Sequence, residues 1–181
     1  MQIYLFLAEG FEEIEAIAPI DIFRRAELSV TIVSINNDKA VTGSHGITVL
    51  ADNTFDETNF VEDSLLFLPG GLPGTTNLDN HSGLKALIKL HSEKGNKMAA
   101  ICAAPSVFGK MGLLADKKAI CYPGFENQLL NATLSTSDTI RSGNIFTAKA
   151  AGSAMDFALM IVSDLKGKEV AEAIRAGMFI K

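Results

Sequence analysis

The residue type best suited to chemistry in this chain is the cysteine in Met98-Ala99-Ala100-Ile101-Cys102-Ala103-Ala104-Pro105-Ser106. A short apolar run ends at Cys102, and small residues with a proline then open a helix. Such a turn sets a thiol at the carboxyl end of a strand and the amino end of a helix. Helix N-terminal N–H groups and the macrodipole favour negative charge, which predicts a thiol pKa below the usual value of about 8.5. Open α/β sheets also bind ligands outside the carboxyl ends of their strands. A thiolate there offers attack on an electrophilic carbon or reversible oxidation. The competing reading is a small buried hydrophobe, the commonest fate of an intracellular cysteine.

Two further stretches can serve such a thiolate. In a nucleophile elbow the N–H of the following residue, here Ala103, forms half of an oxyanion hole. Leu68-Pro69-Gly70-Gly71-Leu72-Pro73-Gly74 follows a buried apolar run, and paired glycines let backbone N–H groups approach a ligand. If Leu65–Leu68 and Met98–Ile101 are neighbouring strands, the Gly71 and Ala103 N–H groups converge on one oxygen. Neither the P-loop nor the dinucleotide pattern is present. After the first apolar run, Glu12, Glu13 and Glu15 open a helix, where acids complement the dipole. Glu15 shares a helical stripe with Phe11, Ala18 and Ile22, so burial would raise its pKa and make it a proton donor to a thiolate. Spacing alone does not separate Glu15 from Glu12, whose stripe is also partly apolar.

The elements that must position these groups alternate between strand and helix. Residues 2–8 read as a strand buried on both faces. Residues 11–26 read as a helix that Pro19 should kink or restart. Strands follow at 29–35, 65–68, 98–101 and 118–121, with hairpins at 39–50 and 139–148. Helices are expected at 82–94, from the elbow to about 111, at 150–165 and at 169–174. This order in 181 residues predicts one domain, residues 1–181, built as a flavodoxin-like three-layer α/β/α sandwich with a mostly parallel central sheet. Cys121 falls in an apolar strand and reads as core. His81 and His91 flank a helix and read as solvated or packing residues, and His45 sits in a glycine-rich turn.

A net charge of −5 argues against a nucleic-acid backbone as the main partner. Two distant cysteines give neither a disulfide framework nor a zinc signature. No apolar run approaches the roughly 20 residues of a membrane span, and the chain opens on a strand rather than a leader pattern. The expectation is a cytoplasmic protein with reduced thiols, no cofactor and no metal. A flavin site is disfavoured, because Glu9-Gly10-Phe11-Glu12-Glu13 after the first strand would repel a phosphate.

Taken together, Ala8-Glu9-Gly10-Phe11-Glu12-Glu13-Ile14-Glu15, Pro19-Ile20-Asp21, Arg24-Arg25-Ala26, Leu68-Pro69-Gly70-Gly71, Ala99-Ala100-Ile101-Cys102-Ala103-Ala104-Pro105, Phe157-Ala158 and Gly167-Lys168-Glu169-Val170 resemble the ThiJ/PfpI superfamily, and within it the DJ-one-like branch. The resemblance covers essentially the whole chain. It implies a homodimeric flavodoxin-like fold and a reactive Cys102 in a strained conformation. It implies Glu15 as the acid against the cysteine, with Gly71 and Ala103 as backbone donors. It further implies glutathione-independent glyoxalase or deglycase activity on reactive 2-oxoaldehydes such as methylglyoxal. The alternative it carries is an oxidative-stress sensor or redox-regulated chaperone working through cysteine sulfinic acid. Two positions depart from the pattern. Tyr122 stands where many relatives carry a histidine, and His45 stands where relatives often carry an arginine near the dimer interface. Both are auxiliary candidates. The protease-like branch has a histidine directly after the cysteine, so Ala103 disfavours peptidase activity.

Overall fold

The computed structural model describes residues 1–181. Seven strands form the main sheet, the most apolar at its centre: β1 (Gln2–Leu7), β2 (Ser29–Ser34), β5 (Asn53–Thr54), β6 (Ser64–Leu68), β7 (Lys97–Ile101), β10 (Thr139–Ser142) and β11 (Ile145–Ala148). They lie in the order β10-β11-β7-β6-β1-β2-β5. Every pair is parallel except β10–β11 at one edge. Two small sheets stand apart, the antiparallel hairpin β3 (Ala40–Thr42) with β4 (Thr48–Leu50), and the pair β8 (Lys118–Ala119) with β9 (Thr133–Leu134).

Strand periodicity divides the core into two layers. Ile3, Leu5 and Leu7 of β1 face one way with Leu65, Phe67 and Ile101, onto α1 (Glu13–Arg25), α5 (Ala154–Lys166) and α6 (Lys168–Gly177). Tyr4, Phe6, Leu66, Leu68 and Met98 face the other way, onto α2 (Gly74–Asn80), α3 (Ser82–Glu93) and α4 (Pro105–Lys110). The expected three-layer sandwich is therefore the observed one. The strand order reverses beside β1, where β1 feeds α1 on one face and β6 feeds α2 on the other. A crevice opens at such a reversal, and β7 ends next to it, with Leu68 of β6 in register with Ala100.

Several expectations need correction. Pro19 does not restart its helix. Glu13–Arg25 is one helix, because Ala16, Pro19, Ile20, Ile22 and Phe23 bury a continuous face that outweighs the missing N–H to the carbonyl of Glu15. The strand expected at 118–121 ends at Ala119, and Cys121 lies beyond it, buried. Helix α2 was not expected, since Gly-Thr-Thr-Asn-Leu-Asp-Asn has only Leu78 to bury as an apolar side chain. Of the two readings of His91, the packing one holds: it is buried, its Nε2 3.0 Å from Ser64 Oγ. His81 caps α3, its Nδ1 accepting from the Leu84 N–H at 3.0 Å.

None of the helices is long and apolar enough to cross a membrane.

Candidate active site

Cys102 occupies the turn between β7 and α4 with φ +65°, in the left-handed region. A non-glycine residue held there stores roughly 1–3 kcal/mol of strain. The turn is clamped on both sides of the residue. The Cys102 N–H donates to Ala148 O at 2.9 Å, and Cys102 O accepts from the Tyr122 N–H at 2.7 Å. These bonds tie the elbow to β11 and to the segment after β8. The thiol emerges half-buried beside the first core layer.

Glu15 reaches the thiol from α1. Its side chain is 1% exposed and lies within hydrogen-bonding reach of Cys102. Oε2 accepts the Gly70 N–H at 2.9 Å, and the Ala151 N–H also points to the carboxyl. Glu12 takes a different part. It precedes the helix as its N-cap, accepting the Glu15 N–H at 2.7 Å. The ambiguity between the two acids is thus resolved by geometry: one caps the helix, and the other is pressed against the sulfur.

Gly70 and Gly71 admit no side chain. A Cβ on Gly70 would lie 2.6 Å from both Cys102 Cβ and Glu15 Oε2. Gly71 has φ +92°, and a Cβ there would collide with the backbone of Glu12 and Gly10. This tight approach brings the Gly71 N–H to Cys102, where the Ala103 N–H joins it. Both N–H groups lie near enough to the thiol to oppose the rise in its pKa.

The electrostatics overturn the expected low thiol pKa. Burial, the charge of Glu15 and its hydrogen bond push Cys102 up to about 12, although the Ala103 and Gly71 N–H groups pull the other way. Burial likewise raises Glu15 from 4.5 to about 7, with the Glu12 charge adding to the rise and the hydrogen bond to Cys102 opposing it. A six-residue helix is too weak a dipole to offset removal of the thiol from water. Two acids in contact titrate as a pair. The first proton leaves near 7, and the second is held to about 12. Above about 7 the pair keeps one proton, on Sγ, and the carboxylate charge of Glu15 is met by the Gly70 and Ala151 N–H groups.

The auxiliary candidates lie elsewhere in the chain. His45 does not hydrogen-bond Cys102. Its Nδ1 is 2.8 Å from Glu13 Oε2 and 4.0 Å from Glu12 Oε1, and its ring is mostly exposed. Tyr122 contributes its backbone N–H to the elbow, while its side chain is 47% exposed. Glu12, Glu13 and His45 are the one group able to gather around a cation, their ligand atoms lying within 4.8 Å of one another. Glu13 and His45 already hydrogen-bond each other. Cys121, buried and pushed up to about 11 by burial and by the charge of Glu126, is core.

Two contributors escaped the sequence. Ala151 acts through a backbone N–H group, which carries no side-chain signature. Glu13 acts through a turn more than 30 residues away.

A model of the DJ-1/PfpI family matches residues 1–164. The Drosophila melanogaster protein dj-1beta is 33% identical over 97% of this chain and 95% of its own length. The Arabidopsis thaliana protein DJ-1 homolog B is 36% identical over 97% of the chain, which spans only 40% of that protein. A deglycase of Pyrococcus horikoshii is 33% identical over 73% of the chain and 78% of its own length. Among solved structures, oxidized Toxoplasma gondii DJ-1 superposes with a TM-score of 0.91 at 33% identity, covering 98% of this chain and 97% of that one.

The raised Glu15 pKa has a stability consequence. The folded state holds this proton more tightly than the unfolded state. The contribution is therefore complete below 4.5 and is lost as pH rises through about 7. The loss amounts to about 3 kcal/mol. Glu15→Gln should raise Tm relative to the parent at pH 8 and much less at pH 4.5, read by differential scanning calorimetry. A difference independent of pH would contradict the burial argument.

Proposed function

Because this chain belongs to the DJ-1/PfpI family, we propose that it is a cysteine-dependent, glutathione-independent glyoxalase or deglycase acting on 2-oxoaldehydes such as methylglyoxal. The observation that carries this reading is the contact between a strained Cys102 and a buried carboxyl that titrates near 7, with the Gly71 and Ala103 N–H groups at the sulfur. Relatives named deglycases support the reaction class.

The chemistry follows from the shared proton. Cys102 Sγ attacks the aldehyde carbon, and the carbonyl electrons move to oxygen, which takes up the thiol proton. The product is a hemithioacetal. Glu15, as carboxylate, removes the proton from that carbon, and the resulting enediolate oxygen lies beside the Gly71 and Ala103 donors. Such donors stabilise developing charge because they are fixed in advance. Glu15 returns the proton to the adjacent carbon while the hemithioacetal hydroxyl proton passes to that carbon's oxygen, leaving the thioester of lactate. Water cleaves the thioester, giving lactate and the free thiol, so the net change is addition of one water. A carboxyl with pKa near 7 suits both proton transfers at neutral pH. Tyr122 is a poor base and is not needed in this sequence. The active form is proposed to be a homodimer, since Ile14, Ile17, Ile47, Met155 and Met178 line one apolar face beside the site.

A second reading is favoured by the same donors. Oxidation of Cys102 to sulfinate would place oxygens among the Gly71 and Ala103 N–H groups and the Glu15 carboxyl, the arrangement expected of a redox sensor.

Methylglyoxal consumption with lactate formation tests the first reading. Cys102→Ser should abolish turnover and Glu15→Gln should lower it at least 100-fold; full activity in the Cys102→Ser variant would refute the mechanism. For the second, mild peroxide should add two oxygens to the parent and none to Cys102→Ser by intact mass. Ile17→Lys should shift the protein to monomer in sedimentation, and an unchanged state would remove this face as the contact.

A further inference from the structure

Glu13 is among the least exposed charged residues of the fold, at 5%, yet its carboxyl bonds the β3–β4 hairpin rather than Cys102. Its carboxylate is enclosed by the turn of the β3–β4 hairpin. Oε1 accepts the His45 N–H at 2.7 Å and the Ile47 N–H at 3.4 Å. Oε2 meets His45 Nδ1 at 2.8 Å and Ser44 Oγ at 3.4 Å. Gly43 closes over it so tightly that any Cβ there would overlap the Glu13 carboxyl group. One carboxylate thus receives two backbone and two side-chain groups of a five-residue turn.

That turn belongs to a small sheet separate from the main one, and its other bonds run to the loop entering α1. The Gly10 N–H donates to Thr42 O at 2.8 Å, and the Ser44 N–H donates to Phe11 O at 2.7 Å. The far side of the same loop carries the catalytic groups. The Glu12 N–H donates to Gly70 O at 2.9 Å, and Gly71 packs directly on Gly10 and Glu12. Residues 10–12 are therefore sandwiched between the hairpin turn and the Gly70-Gly71 turn, and Glu15 projects from the first helical turn that follows.

We propose that Glu13 is a positioning residue: anchored in the 43–47 turn, it fixes the start of α1 so that Glu15 stays buried against Cys102. This rests on the assignment of Cys102 and Glu15 as the reactive pair. The charged groups facing this anchor are Glu12, the N-cap of α1, and His45 on the hairpin. The His45 hydrogen bond and the ion pair with Glu13 raise the pKa of the imidazole, which favours its protonated, anchoring form. Loss of the anchor admits water to Glu15 and returns its pKa toward the ordinary carboxyl value.

The test is the pH profile of Cys102 alkylation by iodoacetamide, which needs no turnover. The parent should show a midpoint near 7. Glu13→Ala should move that midpoint down by about one pH unit and lower the plateau rate on the order of tenfold. Glu13→Gln, which keeps an acceptor for the His45 N–H, should recover most of the shift. Gly43→Ala breaks the anchor from the opposite side and should reproduce the Glu13→Ala profile; it also serves should Glu13→Ala fail to fold. A lowered Tm with an unmoved midpoint in both variants would reduce Glu13 to a purely structural role and overturn the proposal, leaving the Cys102–Glu15 pair intact. A parent profile with no inflection near 7 would remove the pair and the positioning role together.

Discussion

The structure turns on one contact, a buried carboxyl held against a thiol. Neither group is comfortable alone. Burial raises Glu15 to about 7, and burial with a facing negative charge raises Cys102 to about 12. Above about 7 they keep a single proton, on the sulfur, and four backbone N–H groups surround the pair, Gly70 and Ala151 at the carboxyl and Gly71 and Ala103 near the thiol. The rest of the fold supplies those donors. Gly70 and Gly71 come from the end of β6, Ala103 from the end of β7, and Ala151 from the segment after β11. The parallel sheet aligns all three ends at one edge, which is why the site lies there.

This arrangement changes what the cysteine is. A thiolate made by a helix dipole alone would be reactive toward any electrophile at all times. Here the thiol keeps its proton until attack, beside a carboxylate that can accept and return protons, so nucleophilic attack and proton transfer belong to one pair of groups. Proton movement between adjacent substrate carbons requires such a pair, and so does stabilisation of a sulfinate. Enzyme and sensor readings therefore draw on the same physics. They differ in what reaches the thiol first.

Much of this was legible in the chain. The uninterrupted apolar runs of β1, β6 and β7 marked strands buried on both faces. The Cys102 elbow and the Gly70-Gly71 pair marked strand ends where backbone comes close. The stripe through Phe11, Glu15 and Ile22 marked an acid on a buried helix face. What escaped depended on three dimensions. The direction of the thiol pKa follows from how deeply the elbow sinks and on which acid faces it, and a local dipole argument sees neither. Ala151 contributes only its N–H, 136 positions from Glu15. Glu13 looked like one more dipole-complementing acid, because its partners lie in a hairpin turn that the sequence shows only as Gly-Ser-His-Gly. Helix α2 has too few apolar residues to announce itself.

The most direct test of the shared proton is the rate of Cys102 alkylation as a function of pH in the parent and in Glu15→Gln. A coupled pair predicts a parent midpoint near 7, set by the buried carboxyl. It predicts that Glu15→Gln, left with a buried thiol and no proton acceptor, titrates above the ordinary thiol value of about 8.5. Superimposable profiles for the two proteins would show that Cys102 ionises independently of Glu15 and would contradict the account.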